Sequence, residues 1–188
     1  MRKYRLAIGV ALACLVTGSL RAQRLEVGIG AGPALPIRQF HETSRVGLME
    51  TGNIKLQLGE HPVALRLDAV HGEFAGRATR SFIYPRTRIT GVSANAEYDF
   101  DGGEASRWRG WGFGGLGGYY TITDRGVPEF PTFGRTYLGL QGGVGGAYRM
   151  GLLNPFIEFR YLLVFRSNSA VKTFPLLIGI RFGRRSEY

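Results

Sequence analysis

Ionisable residues in this sequence recur at alternate positions within apolar segments. Arg66 and Asp68 are separated by one residue, and so are Glu158 and Arg160. Five acidic and five basic residues follow this pattern: Glu26, Lys55, Arg66, Asp68, Glu97, Asp99, Arg149, Glu158, Arg160 and Arg181. Side chains two residues apart in a β-strand point to the same face, so the spacing directs both signs of charge to one side of a sheet. Such groups could form a network of ion pairs or line a charge-selective pore.

Nucleophilic and metal chemistry have fewer candidates. The chain holds three histidines, His41, His61 and His71, and they are dispersed. Deacylation of lipid A needs a serine, a histidine and a carboxylate within mutual reach, and only His71, with Glu73 close by, could belong to such a site. No serine stands beside His71, and scattered histidines do not predict a zinc site. We therefore expect no catalytic residue, no metal and no cofactor, and a lipid A-modifying enzyme remains a weaker alternative.

Glycine is abundant, at 29 residues, and segment 112–118 has the composition of a phosphate-binding loop. No helical pattern follows that segment, so the sequence does not predict the helix N-terminus that would bind a phosphate. Glycines at strand spacing instead indicate close packing inside a barrel.

The first 22 residues predict an export signal. A basic start, 1–5, precedes an apolar run, 6–18, and small residues that allow cleavage after Ala22 or Gln23. The mature domain is then 23–188, without the lone cysteine, Cys14, and without disulfides. The formal charge is +10, and the mature excess is carried by scattered arginines. This distribution suits an anionic lipopolysaccharide surface better than nucleic acid.

After the signal, apolar residues alternate with small or polar ones in eight segments. We predict strands over 24–35, 51–59, 63–71, 87–100, 108–122, 136–149, 155–165 and 173–182. The facing of 108–122 is ambiguous. Connections near 60, 102 and 152 are short, whereas those near 43, 79, 129 and 169 are mostly longer, as in outer-membrane barrels. The sequence thus predicts one closed antiparallel barrel with both termini on the periplasmic side.

The distribution of residue types favours a membrane barrel over a soluble one. One face carries large apolar residues, and the other carries Gly, Ala, Ser, Asn, Gln and balanced charge. Tyr98, Phe100, Tyr148 and Phe182 fall near strand ends, where aromatic girdles sit in membrane barrels. A soluble lipocalin-like binding barrel, the alternative, would have its apolar face inside.

The export signal, the alternating strands and the final segment 174–182 resemble the OmpA-like/OmpX-like outer-membrane β-barrel family over the whole mature chain. The resemblance implies that the last strand is read by the barrel-assembly machinery, a biogenesis partner. The residues that would carry this signal are Phe174, Leu176, Ile178, Ile180 and Phe182. Six residues follow Phe182, a departure from relatives that end on the aromatic. The family's fold fixes no activity.

These observations predict an outer-membrane protein with a structural or surface-interaction role, in contact with lipopolysaccharide at its rims. Because an unpaired charge in a narrow lumen costs several kcal/mol, the equal numbers of acids and bases favour a lumen plugged by ion pairs. A small passive pore lined by the same charges is the alternative.

Overall fold

The computed structural model describes residues 23–58, 61–80, 83–101, 106–124, 133–166 and 170–183, so the predicted signal peptide lies outside the described residues. Eight antiparallel strands close a barrel in chain order, and the last strand pairs with the first. This confirms the predicted fold class. The strands are β1 (Gln23–Pro36), β2 (Gly47–Leu58), β3 (Val63–Phe74), β4 (Arg86–Asp101), β5 (Trp108–Asp124), β6 (Phe133–Tyr148), β7 (Leu153–Val164) and β8 (Val171–Phe182), with one short helix, α1 (Gln39–Thr43).

No helix within the described ranges is long and apolar enough to cross a membrane.

The outer surface is a belt of exposed apolar side chains. Leu25, Ile29 and Leu65 are each at least half exposed, which is costly in water and favourable in lipid. Near the short turns, which we call the lower end, the belt is bordered by aromatic residues: Tyr98, Phe100, Trp108, Tyr148 and Phe182. On β4, ten residues separate Phe100 from Thr90, and a tilted strand of that length rises about 25 Å, the height of the apolar band in outer-membrane barrels.

The predicted loop 36–50 is partly wrong, because it contains α1 and the start of β2. The first residues of β2 pair with the end of β3, where Leu48 lies opposite Glu73. In this upper part of the barrel Met49 is buried inside and Glu50 is exposed. The inner face is therefore apolar here and the outer face carries both Leu48 and Glu50, so the alternation rule that identified the other strands did not extend to these residues.

Strand β5, whose facing the sequence left ambiguous, directs three aromatic side chains into the lumen. Trp111, Phe113 and Tyr119 are buried, whereas Leu116 and Tyr120 are exposed on the outer face. Neighbouring glycines on β6 make room for the rings. A Cβ on Gly145 would lie 2.4 Å from the ring of Trp111, so this close approach requires glycine. The glycine-rich pattern of β5 and β6 thus serves packing within the lumen, as predicted.

Candidate functional site: the lumen of the barrel

The lower and middle lumen is filled by a network of ion pairs contributed by seven of the eight strands. We call it the lumen network, and its members are Glu26, Lys55, Arg66, Asp68, Glu97, Asp99, Arg109, Glu158, Arg160 and Arg181. Each side chain points inward because it alternates with a lipid-facing residue on its strand. Arg66, Glu97, Glu158 and Arg160 have no exposed surface.

Arg66 stands at the centre of the network and joins three carboxylates. Its Nη1 donates to Glu97 Oε2 at 2.9 Å and to Glu158 Oε2 at 2.7 Å. Its Nη2 donates to Asp68 Oδ1 at 2.8 Å and to Glu158 Oε1 at 3.1 Å. These carboxylates belong to β3, β4 and β7, so one guanidinium bridges strands across the lumen. Charge-assisted bonds of this kind are the stronger ones in proteins.

Glu97 is the second centre of the network. Arg181 binds it with two parallel bonds, Nη1 to Oε1 at 2.9 Å and Nη2 to Oε2 at 3.0 Å, and Lys55 Nζ lies 3.0 Å from Oε1. A planar guanidinium matches a carboxylate in this two-bond geometry. Glu97 therefore ties β2, β3 and β8 to β4.

Arg160 closes the upper edge of the network. Its Nη2 donates to Glu158 Oε1 at 2.7 Å and to Asp68 Oδ1 at 3.0 Å. A neutral layer follows, in which Gln141 Nε2 donates to Ser93 Oγ at 2.7 Å. Asn95 Nδ2 donates to the second oxygen of Asp68 at 2.8 Å. Neutral donors thus satisfy carboxylate oxygens that the cations leave open.

The sequence missed one cation of the network and included Arg149, which the structure places at the lower rim. Arg109 lies 2.6 Å from Glu26 and 2.9 Å from Asp99, and the uncertain facing of β5 concealed it. Arg149 follows the end of β6, and its guanidinium donates to the backbone oxygen of Ser106 at 2.8 Å, so it lies at the lower rim. With Arg109 in place of Arg149, five cations face five carboxylates, and the other nine predicted residues lie in the lumen.

Aromatic rings of β5 line the network on one side. The guanidinium carbon of Arg181 lies 3.8 Å from the ring centroid of Trp111, and that of Arg66 lies 4.1 Å from the centroid of Phe113. Trp111 Nε1 also donates to Glu158 Oε2 at 3.0 Å. The rings offer their negative faces to the cations, and they exclude water from the same space. This stacking stabilises the orientation of both arginines.

Above the network the lumen is apolar. A packed cluster, which we call the apolar plug, fills the upper half. Its members are Ala34, Phe40, Met49, Val70, Phe74, Ile89, Tyr119, Leu162, Val164, Val171 and Leu177. Phe40 comes from α1 and meets the ring of Phe74 edge-on at a centroid distance of 5.0 Å. The short helix thus contributes an apolar side chain to the upper mouth. The predicted lumen of small and polar residues is correct only below this level.

On the outer face, polar side chains gather where β3 and β4 leave the apolar belt. We call His71, Glu73, Arg86, Arg88 and Thr90 the rim cluster. Glu73 accepts from Arg86 at 2.6 Å and lies 3.0 Å from Nε of Arg88. The ring Nδ1 of His71 is 2.8 Å from Thr90 Oγ1, and its Nε2 is 3.8 Å from Glu73 Oε1. The structure thus joins His71 to a carboxylate and to a threonine hydroxyl.

The other two histidines lie apart from the rim cluster. His41 is in α1, 3.0 Å from the guanidinium of Arg77, and His61 is in the turn that follows β2. Within the described ranges no group of three or more His, Cys, Asp or Glu residues could hold a metal ion.

The residues predicted to signal assembly lie on the outer face of β8. Phe174, Ile178, Ile180 and Phe182 are 40–65% exposed, and Leu176 is half-buried. Arg181 points the other way, into the lumen network. The outer and inner faces predicted for β8 therefore agree with those in the structure.

Several solved outer-membrane barrels share this fold. Neisserial surface protein A is 17% identical with a TM-score of 0.61, and the match covers 84% of this chain and 96% of that one. A major outer membrane protein of Thermus thermophilus is 14% identical with a TM-score of 0.60, over 87% and 100% of the two chains. OprG of Pseudomonas aeruginosa is 13% identical with a TM-score of 0.51, over 88% and 97%. No protein-family model matches the sequence, and no curated protein matches it.

At identities this low, the similarity to solved structures establishes the fold alone. The exposed apolar belt with its aromatic border indicates that a membrane surrounds the barrel. A soluble lipocalin-like barrel would keep its apolar residues inside, whereas here the lower lumen is charged and the outer surface apolar. The chain is a small eight-stranded β-barrel of the outer membrane, as the sequence predicts.

Proposed function

We propose that this protein has a structural or surface-interaction role in the outer membrane and that its lumen does not conduct ions. The observation that carries the proposal is the bridging of three carboxylates by the buried guanidinium of Arg66. An eight-stranded barrel encloses little more space than its own side chains fill. Paired charges below and the apolar plug above support closure at two successive levels.

A liposome-swelling assay tests whether the lumen admits small solutes. Vesicles that contain the refolded barrel should swell in isotonic arabinose no faster than empty vesicles. A known general porin in the same vesicles provides the positive control. Swelling that rises with the amount of wild-type barrel would support the passive-pore alternative instead.

The partner proposed for the outer rim is the phosphorylated headgroup of lipopolysaccharide. The rim cluster supports this, since Arg86 and Arg88 share one carboxylate, that of Glu73, and are 50% and 38% exposed at the upper edge of the apolar belt. Guanidinium groups bind phosphate oxygens in a two-bond geometry. The pair therefore retains a net positive charge at headgroup height.

Reconstitution with and without lipopolysaccharide tests this contact. Lipopolysaccharide should raise the unfolding temperature of the wild-type barrel more than that of Arg86→Gln/Arg88→Gln. The matched control is Arg77→Gln, which removes one arginine from the upper loops beside His41. An equal rise in the unfolding temperature of all three proteins would contradict a contact between lipopolysaccharide and the rim cluster.

We propose no catalytic role for the rim cluster, although it holds a histidine, a carboxylate and a hydroxyl. The hydroxyl belongs to Thr90, and Glu73 is occupied by two arginines. Mass spectrometry of lipid A from cells that express wild type or His71→Ala should show the same acylation pattern. A lipid A species that appears with wild type and is lost with His71→Ala would establish the enzyme alternative.

We further propose that the outer face of β8 is recognised by the barrel-assembly machinery during biogenesis. The exposed aromatic and aliphatic residues of that face support the proposal. Phe182→Ala should slow assembly in cells, with Phe165→Ala, an exposed aromatic outside β8, as the matched control. Equal assembly of both variants would contradict a recognition role for Phe182.

A further inference from the structure

The inner side of the upper mouth carries two arginines that converge on one tyrosine ring. The guanidinium carbons of Arg135 and Arg166 each lie 5.9 Å from the ring centroid of Tyr137. Arg135 and Tyr137 are two residues apart on β6, and Phe165 N donates to Leu138 O at 2.9 Å, which brings the chain after β7 alongside them. Tyr137 itself packs against the apolar plug.

Neither arginine has a carboxylate partner among the residues that the structure describes. This separates them from the cations of the lumen network, each of which lies within 3.0 Å of a carboxylate oxygen. Two like charges held near one ring repel each other, and the negative face of the ring offsets only part of that repulsion. The arrangement therefore favours an anion between the two guanidinium groups.

A buried hydroxyl next to Arg135 provides a second, independent indication of a ligand. Thr121 lies directly opposite Arg135 in the β5–β6 register and is 3% exposed. Its Oγ1 is buried and has no hydrogen-bond partner among the residues that the structure describes. A buried polar group without a partner costs free energy, and a ligand oxygen between β5 and β6 would remove that cost.

From this geometry we infer an anion site at the inner side of the upper mouth, formed by Arg135, Arg166 and Thr121, with Tyr137 as its floor. Its ligand is a phosphate monoester group. Two arginines balance the charge of a phosphate monoester, which is about −1.5 to −2 at neutral pH, and each can bind two of its oxygens. A carboxylate would leave one positive charge without a partner. The site goes beyond the proposed function, because the rim cluster lies on the outer face of other strands.

Calorimetric titration of the mature barrel with glucose 6-phosphate tests the site, with glucose as the neutral comparison. The protein is held in phosphatidylcholine nanodiscs, which carry no net charge. We expect saturable binding of glucose 6-phosphate only. Arg135→Gln and Arg166→Gln should each weaken it about tenfold or more, since a hydrogen bond to a charged group is lost. Thr121→Val should weaken it about fivefold.

The matched control is Arg88→Gln, which removes an arginine of the rim cluster from the outer face of the same end of the barrel. Its affinity for glucose 6-phosphate should stay within about twofold of wild type, because Arg88 lies outside the site. A difference in gel migration between unheated and boiled samples verifies that each variant is folded. Absence of saturable binding by wild type, or an equal loss in Arg88→Gln, would overturn the inference.

Two further nanodisc preparations distinguish the source of the phosphate group. Phosphatidic acid carries a monoester headgroup, and phosphatidylglycerol carries an anionic diester. Weaker binding of glucose 6-phosphate in phosphatidic acid discs than in phosphatidylglycerol discs would assign a lipid headgroup as an occupant of the same site. Equal binding in both would assign the site to soluble phosphate esters.

Discussion

The interiors of the lower and upper halves of this barrel have opposite polarity, and the change occurs within single strands. On β2, Ile54 is exposed outside while Lys55 is buried inside, but five residues earlier Glu50 is exposed and Met49 is buried. The lower half is apolar outside and charged inside. The upper half is apolar inside, and outside it carries the polar rim cluster of β3 and β4 beside exposed apolar residues such as Leu48 and Leu138.

The comparison shows that the medium outside the barrel decides what its lumen can hold. In the lower half the apolar face lies against lipid, so the polar side chains face the lumen and must be paired there. In the upper half the polar residues of the rim cluster lie on the outer face, and the interior can be an ordinary apolar core. One closed sheet thus combines two kinds of interior, stabilised respectively by ion pairs and by packing.

The largest effect is expected where a charge is removed from the lower half. Arg66→Ala leaves Glu97, Glu158 and Asp68 short of a shared partner, and breaking a buried network from one side costs about 3–5 kcal/mol. Urea unfolding in lipid vesicles measures the loss. Arg86→Ala, which removes a half-exposed arginine at the rim, should cost about 0–1 kcal/mol.

A cost for Arg66→Ala equal to that of Arg86→Ala would contradict the account. It would mean that water enters the lower lumen and screens its charges as it does at the rim.

The second-largest effect is expected from a new charge on the outer face, whose cost in stability should differ between the two halves. Ile54→Lys places an ammonium group against lipid and should cost about 2–4 kcal/mol near the bilayer centre. Leu48→Lys, on the same strand and face but six residues higher, should cost about 0–1 kcal/mol, because the side chain lies near the interface. Vesicle unfolding of both variants is the measurement, and equal costs would mean that the polarity change on β2 does not mark the edge of the membrane.

The smallest of the three effects is expected from truncation in the apolar plug. Met49→Ala removes a fully buried side chain and should cost about 2 kcal/mol, near the lower end for such changes because the nearby loop and α1 can relax. The difference in stability from wild type should be the same at low and high ionic strength, since the truncation removes no charge. A strong salt dependence of that difference would show that the truncation also disturbs the lumen network.

The sequence predicted the lower half well and the upper half poorly, for a physical reason. Alternation in segments such as 63–71 reports directly which face meets lipid, so the pattern alone assigns Arg66 and Asp68 to the lumen. In the upper half the inward residues are apolar, so the pattern used for the lower half did not identify residues 47–50 as part of a strand. Arg109 was missed because glycines and aromatics occupy both faces of β5. Pairing partners such as Arg66 and Glu158, on β3 and β7, depend on barrel closure, which no local pattern encodes.

Single-channel recording of the wild-type barrel in a planar bilayer tests the central claim most directly, namely that ion pairs and packed side chains close the lumen at two levels. We expect no steady openings across the range of voltages that the bilayer tolerates. Arg66→Ala should give only brief, small openings, since the apolar plug above it remains in place. Steady, ion-selective openings of the wild-type protein would contradict the account and establish a pore.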